Sequence, residues 1–412
     1  MMKYEERRKA VLEHMEKGAV TVLYSGAEIP QSLDAGCPFD ANHHFVYLTG
    51  LARENMALVL SKSASEDKTI LFIEEAVPAM ERWTGRRVTK DEAKAISGID
   101  DVRYIDSLEG ALGRMVTREA VSVAYFDGYR NAMNDVDSYN MMKAKRFAAA
   151  YPMIQLKNIH PFIAGLRMVK DEEEVSCIRE AIGLTDQGLR RILSTLAPGQ
   201  MEYQAQAEFE YAIRYHGAEG TAFPTIAGSG INGCMLHYGT NHCRMEEGQL
   251  LLLDLGAKTK GYCADITRTY PVSGVYSPRQ KALYDVVLAA NLAVTAAAKP
   301  GLTLKQLNEI CKAKLAEGLI ALGKIESADE IGTYYMHGVS HHLGMDTHDA
   351  IAHDETPLAP GMVITNEPGL YIDEEEIGIR IEDDLLITQD GCEVLSSAIP
   401  KTTQEIEALM KR

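Results

Sequence analysis

The chain lacks any apolar run long enough to span a bilayer. Its most apolar longer stretch, residues 286–298, contains Asn291 and falls well short of the roughly 20 residues a membrane helix needs. It reads as a core helix. The N-terminal MMKYEERRKAVLEH alternates charge with apolar positions at helical spacing and has no apolar core of signal-peptide type. Positive charge is in the minority, 42 Lys and Arg against 59 Asp and Glu, and the net charge of −17 argues against nucleic acid or a membrane as partner. Seven cysteines without a Cys-x-x-Cys pair give neither a disulfide nor a zinc framework, and reduced thiols in the cytoplasm fit best. Low-complexity tracts are absent. What remains, 46% hydrophobic and 25% charged over 412 residues, is ordinary globular composition on a chain too long for one core. Two domains are expected.

In the first half, residues 3–17 read as an amphipathic helix closed by Gly18, followed by strands at AVTVLYSG, HFVYLTG, NMALVLSK and KTILFIEE. Helical and strand patterns then alternate to about residue 160, an α/β arrangement without a catalytic cluster of its own. Residues 159–165 (IHPFIAG), with a proline and a glycine, mark the expected boundary between domains 1–165 and 166–412.

The second half repeats itself. A helix over about 172–196 stops at Pro198-Gly199, a second helix runs to Gly217, and the chain leads to a hairpin. Another helix over about 279–299 stops at Pro300-Gly301, a partner covers 304–322, and a second hairpin follows. Helices are expected to cover the outside of a curved sheet, with one pseudo-symmetric site at the junction of the halves.

Both hairpins carry carboxylates where burial is expected. The run Leu250 to Leu253 reads as a buried strand ending in Asp254, and an unpaired buried carboxylate is too costly to keep ionised. A polar turn Lys258-Thr259-Lys260-Gly261 follows, and the implied register sets Asp254 opposite Asp265, with side-chain bases about 5 Å apart. In MVITNEPGLYI and IGIRIEDDLLI, joined by Asp373-Glu374-Glu375-Glu376, the same reasoning sets Glu367 opposite Glu382. A histidine-rich run, MHGVSHHLGMDTHD, lies between the hairpins. Four carboxylates and one imidazole suffice for two hard divalent ions, which relieve the like-charge repulsion.

These residues resemble the pita-bread metallopeptidases, and among them the aminopeptidase P (Xaa-Pro aminopeptidase) family; the N-terminal half resembles the creatinase/prolidase N-terminal domain. The ligand pattern matches at Asp254 in LLLLDLG, Asp265 in ADITRT, His341 in HGVSHHLG, Glu367 in TNEPGLY and Glu382 in GIRIEDD. The resemblance implies a dinuclear centre, usually manganese with cobalt or zinc as alternatives, in which Asp254 and Glu382 bridge and the other three each bind one ion. Oxygen-rich ligation independently favours manganese. Such ions activate a water and polarise a peptide carbonyl, so histidines near the metals are needed to carry protons. Matching positions are His237 and His348, which contact substrate in the family, and His337, a neighbouring pocket residue. Glu367 is a further proton carrier, and Arg380, two residues before Glu382, is placed to hydrogen-bond a ligand carboxylate.

The implied activity is release of the N-terminal residue from peptides with proline second. A prolidase-type dipeptidase would share every metal ligand, and the stretch between His348 and Glu367 has no arginine, which leaves that alternative open. A pita-bread protein reduced to a binding module should have lost ligands. His14, His43, His44, His160, His216 and His353 read as ordinary surface or core residues, and His342 should point away from its neighbour His341 on an extended segment. The only tryptophan, Trp83 in MERWTGRRV, has polar neighbours that suit a loop better than a core. The resemblance implies that it reaches a neighbouring subunit's site, in a homo-oligomer that is a tetramer or dimer.

Overall fold

The computed structural model describes residues 4–63, 66–353 and 355–411. The chain divides into two compact units, Met1–Arg167 and Met168–Arg412, and both mix helix with strand. In the first, six strands form a sheet in the order Asp101–Tyr104, Asp67–Ile73, Ala57–Lys62, Ala19–Tyr24, Val123–Phe126, Gln155–Asn158. Ala57–Lys62 runs antiparallel to both neighbours, and the remaining pairs are parallel. Val20, Val22, Val59 and Phe72 on one face pack with Leu112 and Met115 of helix Leu108–Arg118 and Phe147 of helix Tyr139–Ala150.

The helix expected over residues 3–17 occupies Tyr4–His14, and residue 3 lies outside the described residues. HFVYLTG is not a strand. It lies in helix His43–Thr49, because local capping outweighs its aromatic content: the Asn42 side chain accepts from Phe45 N at 3.0 Å, and Gly50, at φ 72, donates its N–H to Val46 O. The proline and glycine of residues 159–165 are helical. They lie within helix His160–Met168, with Pro161 in the first turn, where a missing N–H costs nothing.

The second unit repeats one plan. Helices Glu172–Thr195 and Glu202–Tyr215 pack together, as do Pro278–Ala297 and Leu304–Ala321. Each pair is joined through a Pro-Gly whose glycine has φ 90; Gly199 N donates to Met245 O at 2.7 Å and Gly301 N to Leu358 O at 2.9 Å. The first hairpin pairs Leu250–Leu255 with Ile266–Pro271, and the second pairs Val363–Asn366 with Asp383–Ile387 and Gly369–Ile372 with Ile377–Arg380.

The second hairpin has the expected register, with Gly369 opposite Arg380 and Asn366 opposite Asp383, so Glu367 and Glu382 face each other where the ladder opens. The first does not. Lys260 and Gly261 both take left-handed φ, 51 and 76, and close a two-residue turn instead of the four-residue one expected. Asp254 therefore pairs with Thr267, not Asp265. A shift of two residues preserves the face, so Asp265 stays on the side of Asp254, one step along the strand. Gly256 permits this crossing: a Cβ there would meet Ala264 O at 1.8 Å.

Candidate metal centre

A cavity of about 590 Å³ in the second unit is lined by Asp254, Asp265, His341, Glu367 and Glu382 together with His237, His337, His348 and Arg380. Strand ends aim the carboxylates inward. Asp254 is on strand Leu250–Leu255, Asp265 immediately precedes Ile266–Pro271, Glu367 follows Val363–Asn366, and Glu382 precedes Asp383–Ile387. His341 is held by its backbone N–H, which donates to Thr365 Oγ1 at 3.1 Å, and by its carbonyl, which accepts from Thr365 N at 2.9 Å.

Arg380 organises one wall. Its Nη2 donates to Asp254 Oδ2 at 2.5 Å, Nε to Thr267 Oγ1 at 3.1 Å and Nη1 to Tyr371 OH at 2.9 Å. Thr267 in turn donates to Glu382 Oε2 at 2.6 Å. Arg380 is thus bonded directly to a carboxylate of the other hairpin and, through a hydroxyl, to Glu382. His337 Nδ1 faces Gly338 O at 2.8 Å; a carbonyl only accepts, so Nδ1 carries the proton and Nε2 accepts from Tyr371 OH at 2.8 Å.

The same reasoning fixes His341. Nδ1 donates to His342 O at 3.1 Å, which leaves the Nε2 lone pair facing Asp265 Oδ2 at 3.4 Å and Glu367 Oε1 at 3.6 Å. Burial, reinforced by His348, pushes the His341 pKa down to about 3, so Nε2 carries no proton of its own into those contacts. Burial first, then the neighbouring carboxylates, pushes Asp265 and Glu382 well above the usual carboxylate range, and burial raises Glu367 to about 8. Oδ1 of both Asp254 and Asp265 is buried without a hydrogen-bond partner. Asp265, His341 and Glu382 offer donor atoms within 4.8 Å of one another. Donor atoms that converge on a common space, most of them oxygen, fit hard divalent cations, which would displace the protons that these crowded carboxyls otherwise retain.

Trp83 belongs to the other unit and is 88% exposed. It is neither a core aromatic nor on a loop: it lies in the short helix Pro78–Thr84, whose residues are all at least partly exposed. His342 is buried away from the cavity lining and bridges to Ile364. Sequence reasoning did not single out Tyr371 and Thr267, although each shares a strand face with a carboxylate at even spacing, Tyr371 with Glu367 and Thr267 with Asp265. It also gave no sign that His44 and His160 meet Asp127. His160 Nδ1 is 2.9 Å from both His44 Nε2 and Asp127 Oδ1, and the group could be read as a second cation site. Arg167 Nη1 lies 3.0 Å from His44 Nδ1, however, and a guanidinium there opposes a cation and fixes His44 Nδ1 as an acceptor.

A family model described as metallopeptidase family M24 matches residues 176–389, and one described as the aminopeptidase P N-terminal domain matches 4–124. The chain is similar to the Xaa-Pro aminopeptidase of Escherichia coli (strain K12), 33% identical over 432 residues, covering 99% of this chain and 97% of that protein. Among solved structures it is similar to one from Bacillus anthracis assigned provisionally to aminopeptidase P, at TM-score 0.96 and 40% identity, covering 99% and 97% of the two chains. It is also similar to Escherichia coli aminopeptidase P with the inhibitor Pro-Leu, at TM-score 0.89 and 32% identity, with 99% and 97% covered.

Proposed function

Because the chain belongs to metallopeptidase family M24, in its aminopeptidase P branch, we infer that the carboxylate cavity is the dinuclear metal centre of an Xaa-Pro aminopeptidase. The observation that carries this reading is the convergence of four carboxylates and the unprotonated Nε2 of His341 on one cavity, with buried oxygens of Asp254 and Asp265 left unpartnered. Asp254, Asp265, His341, Glu367 and Glu382 would hold the two ions. Manganese is the metal we assign, since four of five ligands are oxygen. When bound, the ions lower the pKa of water and polarise the peptide carbonyl. Arg380 and Thr267 fix the Asp254 and Glu382 carboxylates, Tyr371 passes a hydrogen bond between Arg380 and His337, and Glu367 is positioned to take a proton and return it to the leaving amine. His237 and His348 line the open side, where they orient peptide. The apolar part of the lining, Phe223, Pro224, Ile226 and Leu236, suits a proline ring.

Relatives matched over nearly their whole length carry the aminopeptidase name, which disfavours the dipeptidase reading. The exposed indole of Trp83 supports a homo-oligomer, a tetramer or dimer, in which it completes a neighbouring copy's peptide site. Seven free thiols support a cytoplasmic location. Residues 1–165 and 166–412 are the N-terminal and catalytic domains; the compact units divide after Arg167. A panel of X-Pro dipeptides, X-Pro-Y tripeptides and peptides without proline, each with added Mn²⁺ or chelator, tests the reading. Tripeptides are expected to be cleaved best and only with metal. Dipeptides as the better substrates would restore the prolidase alternative, and no turnover by a protein holding two ions would make it a binding module.

A further inference from the structure

The metallopeptidase match ends at residue 389, yet the chain beyond it is tied to the metal centre through an ionic cluster whose Arg268 and Asp383 are fully buried. Arg268 and Asp383 are both wholly buried, and all five guanidinium N–H groups of Arg268 are used. Nη1 donates to the carbonyls of Thr267 (3.0 Å) and Glu382 (2.5 Å), Nη2 to Asp383 Oδ1 (2.8 Å) and Ile399 O (3.2 Å), and Nε to Pro400 O (3.1 Å). Asp383 also accepts from Ser396 Oγ at 2.8 Å and Lys401 Nζ at 2.6 Å. Lys401 reaches further, to Asn291 Oδ1 at 2.8 Å, and Asn291 Nδ2 donates to Asn366 O at 3.2 Å and Ile381 O at 3.4 Å. Asn366 and Ile381 are the residues immediately before Glu367 and Glu382.

We propose that residues 396–401 are a positioning element of the metal centre: acting through Arg268 and Asn291, they fix the backbone from which Glu367 and Glu382 project and lock the two hairpins in register. The inference rests on the reading of the cavity as a metal site. Buried ion clusters are weak evidence for stability, since apolar replacements are often neutral. They do hold atoms in place, and ligand-orienting partners govern metal affinity. Here every donor of Arg268 is spent on a carbonyl or carboxylate within or beside the ligand strands or on the C-terminal segment.

Mn²⁺ titration of the full chain against a chelating dye, with circular dichroism and the Tm of the chelated protein, tests this. Lys401→Met should weaken Mn²⁺ binding by about 10–100-fold while leaving Asp383 paired with Arg268 and the chelated fold intact, and Lys401→Arg should restore affinity. Should Lys401→Met not fold, Ser396→Ala removes a single hydrogen bond to Asp383 and should weaken binding about fivefold. Parental Mn²⁺ affinity in these variants with a lowered chelated Tm would overturn the inference, leaving the segment a structural tether. A parent protein that binds no Mn²⁺ would instead defeat the metal-site reading itself.

Discussion

Asp254→Asn perturbs the centre with little steric change. Asp254 Oδ2 takes the Arg380 Nη2 hydrogen bond at 2.5 Å, while Oδ1 is buried and unpartnered. An asparagine keeps an oxygen for Arg380 and turns its amide hydrogens toward the cavity, where a lone pair is required. A ligand bound only by the folded state stabilises it by about 2.7 kcal/mol at a hundredfold excess over Kd. For a unit the size of Met168–Arg412 that is about 5–11 °C in Tm, at about 2–4 °C per kcal/mol. The parent should gain this increment per ion with Mn²⁺, and the variant should lose it for at least one ion. In the chelated variant the Asp254 charge no longer raises the Asp265, Glu367 and Glu382 carboxyls, but Arg380 exchanges an ion pair for a neutral hydrogen bond, so each protein's rise in Tm is read against its own chelated form. Calorimetry with and without metal, metal analysis and an X-Pro-Y assay report the three quantities. A variant that keeps two ions, the full Mn²⁺-dependent rise in Tm and parental turnover would refute the reasoning.

The chelated parent should lose stability as pH rises: burial, with Arg380 opposing and Asp254 adding, holds the Glu367 pKa at about 8. A raised folded-state carboxyl contributes its stability fully below the ordinary glutamate range and loses it as pH climbs through about 8, so a flat chelated profile would contradict the crowding. His237→Ala and His348→Ala should retain both ions, measured by metal analysis, and lower kcat by about 10²–10⁴-fold; metal loss would make either one a ligand. Trp83→Ala should change Tm little, since the ring is 88% exposed, yet raise KM for X-Pro-Y tripeptides with metal content unchanged. Sedimentation of the parent as a monomer, with parental tripeptide kinetics in the variant, would count against the shared-site role.

The donor residues are visible in the sequence because burial is locally encoded: a run of leucines ending in aspartate, or a strand broken by Asn-Glu-Pro, marks a carboxylate that solvent will not reach. The repeat is equally local, since two Pro-Gly stops and two polar turns recur in the same order. Turn chemistry set the limit of that reading. The pair Lys260-Gly261, both left-handed, moved the first hairpin by two residues, and Asn42 with Gly50 turned an expected strand into a helix. What the sequence alone could not settle is which side chains restrain the donors. Arg380 meets Thr267 across 113 residues of chain and Asp254 across 126, and Arg268 meets Pro400 across 132. No periodicity spans such separations. Hydrogen-bond partners of this kind are chosen only when the hairpins pack against each other and bury the charges, so the residues that carry the chemistry follow from the sequence while the network that aims them follows from the tertiary fold.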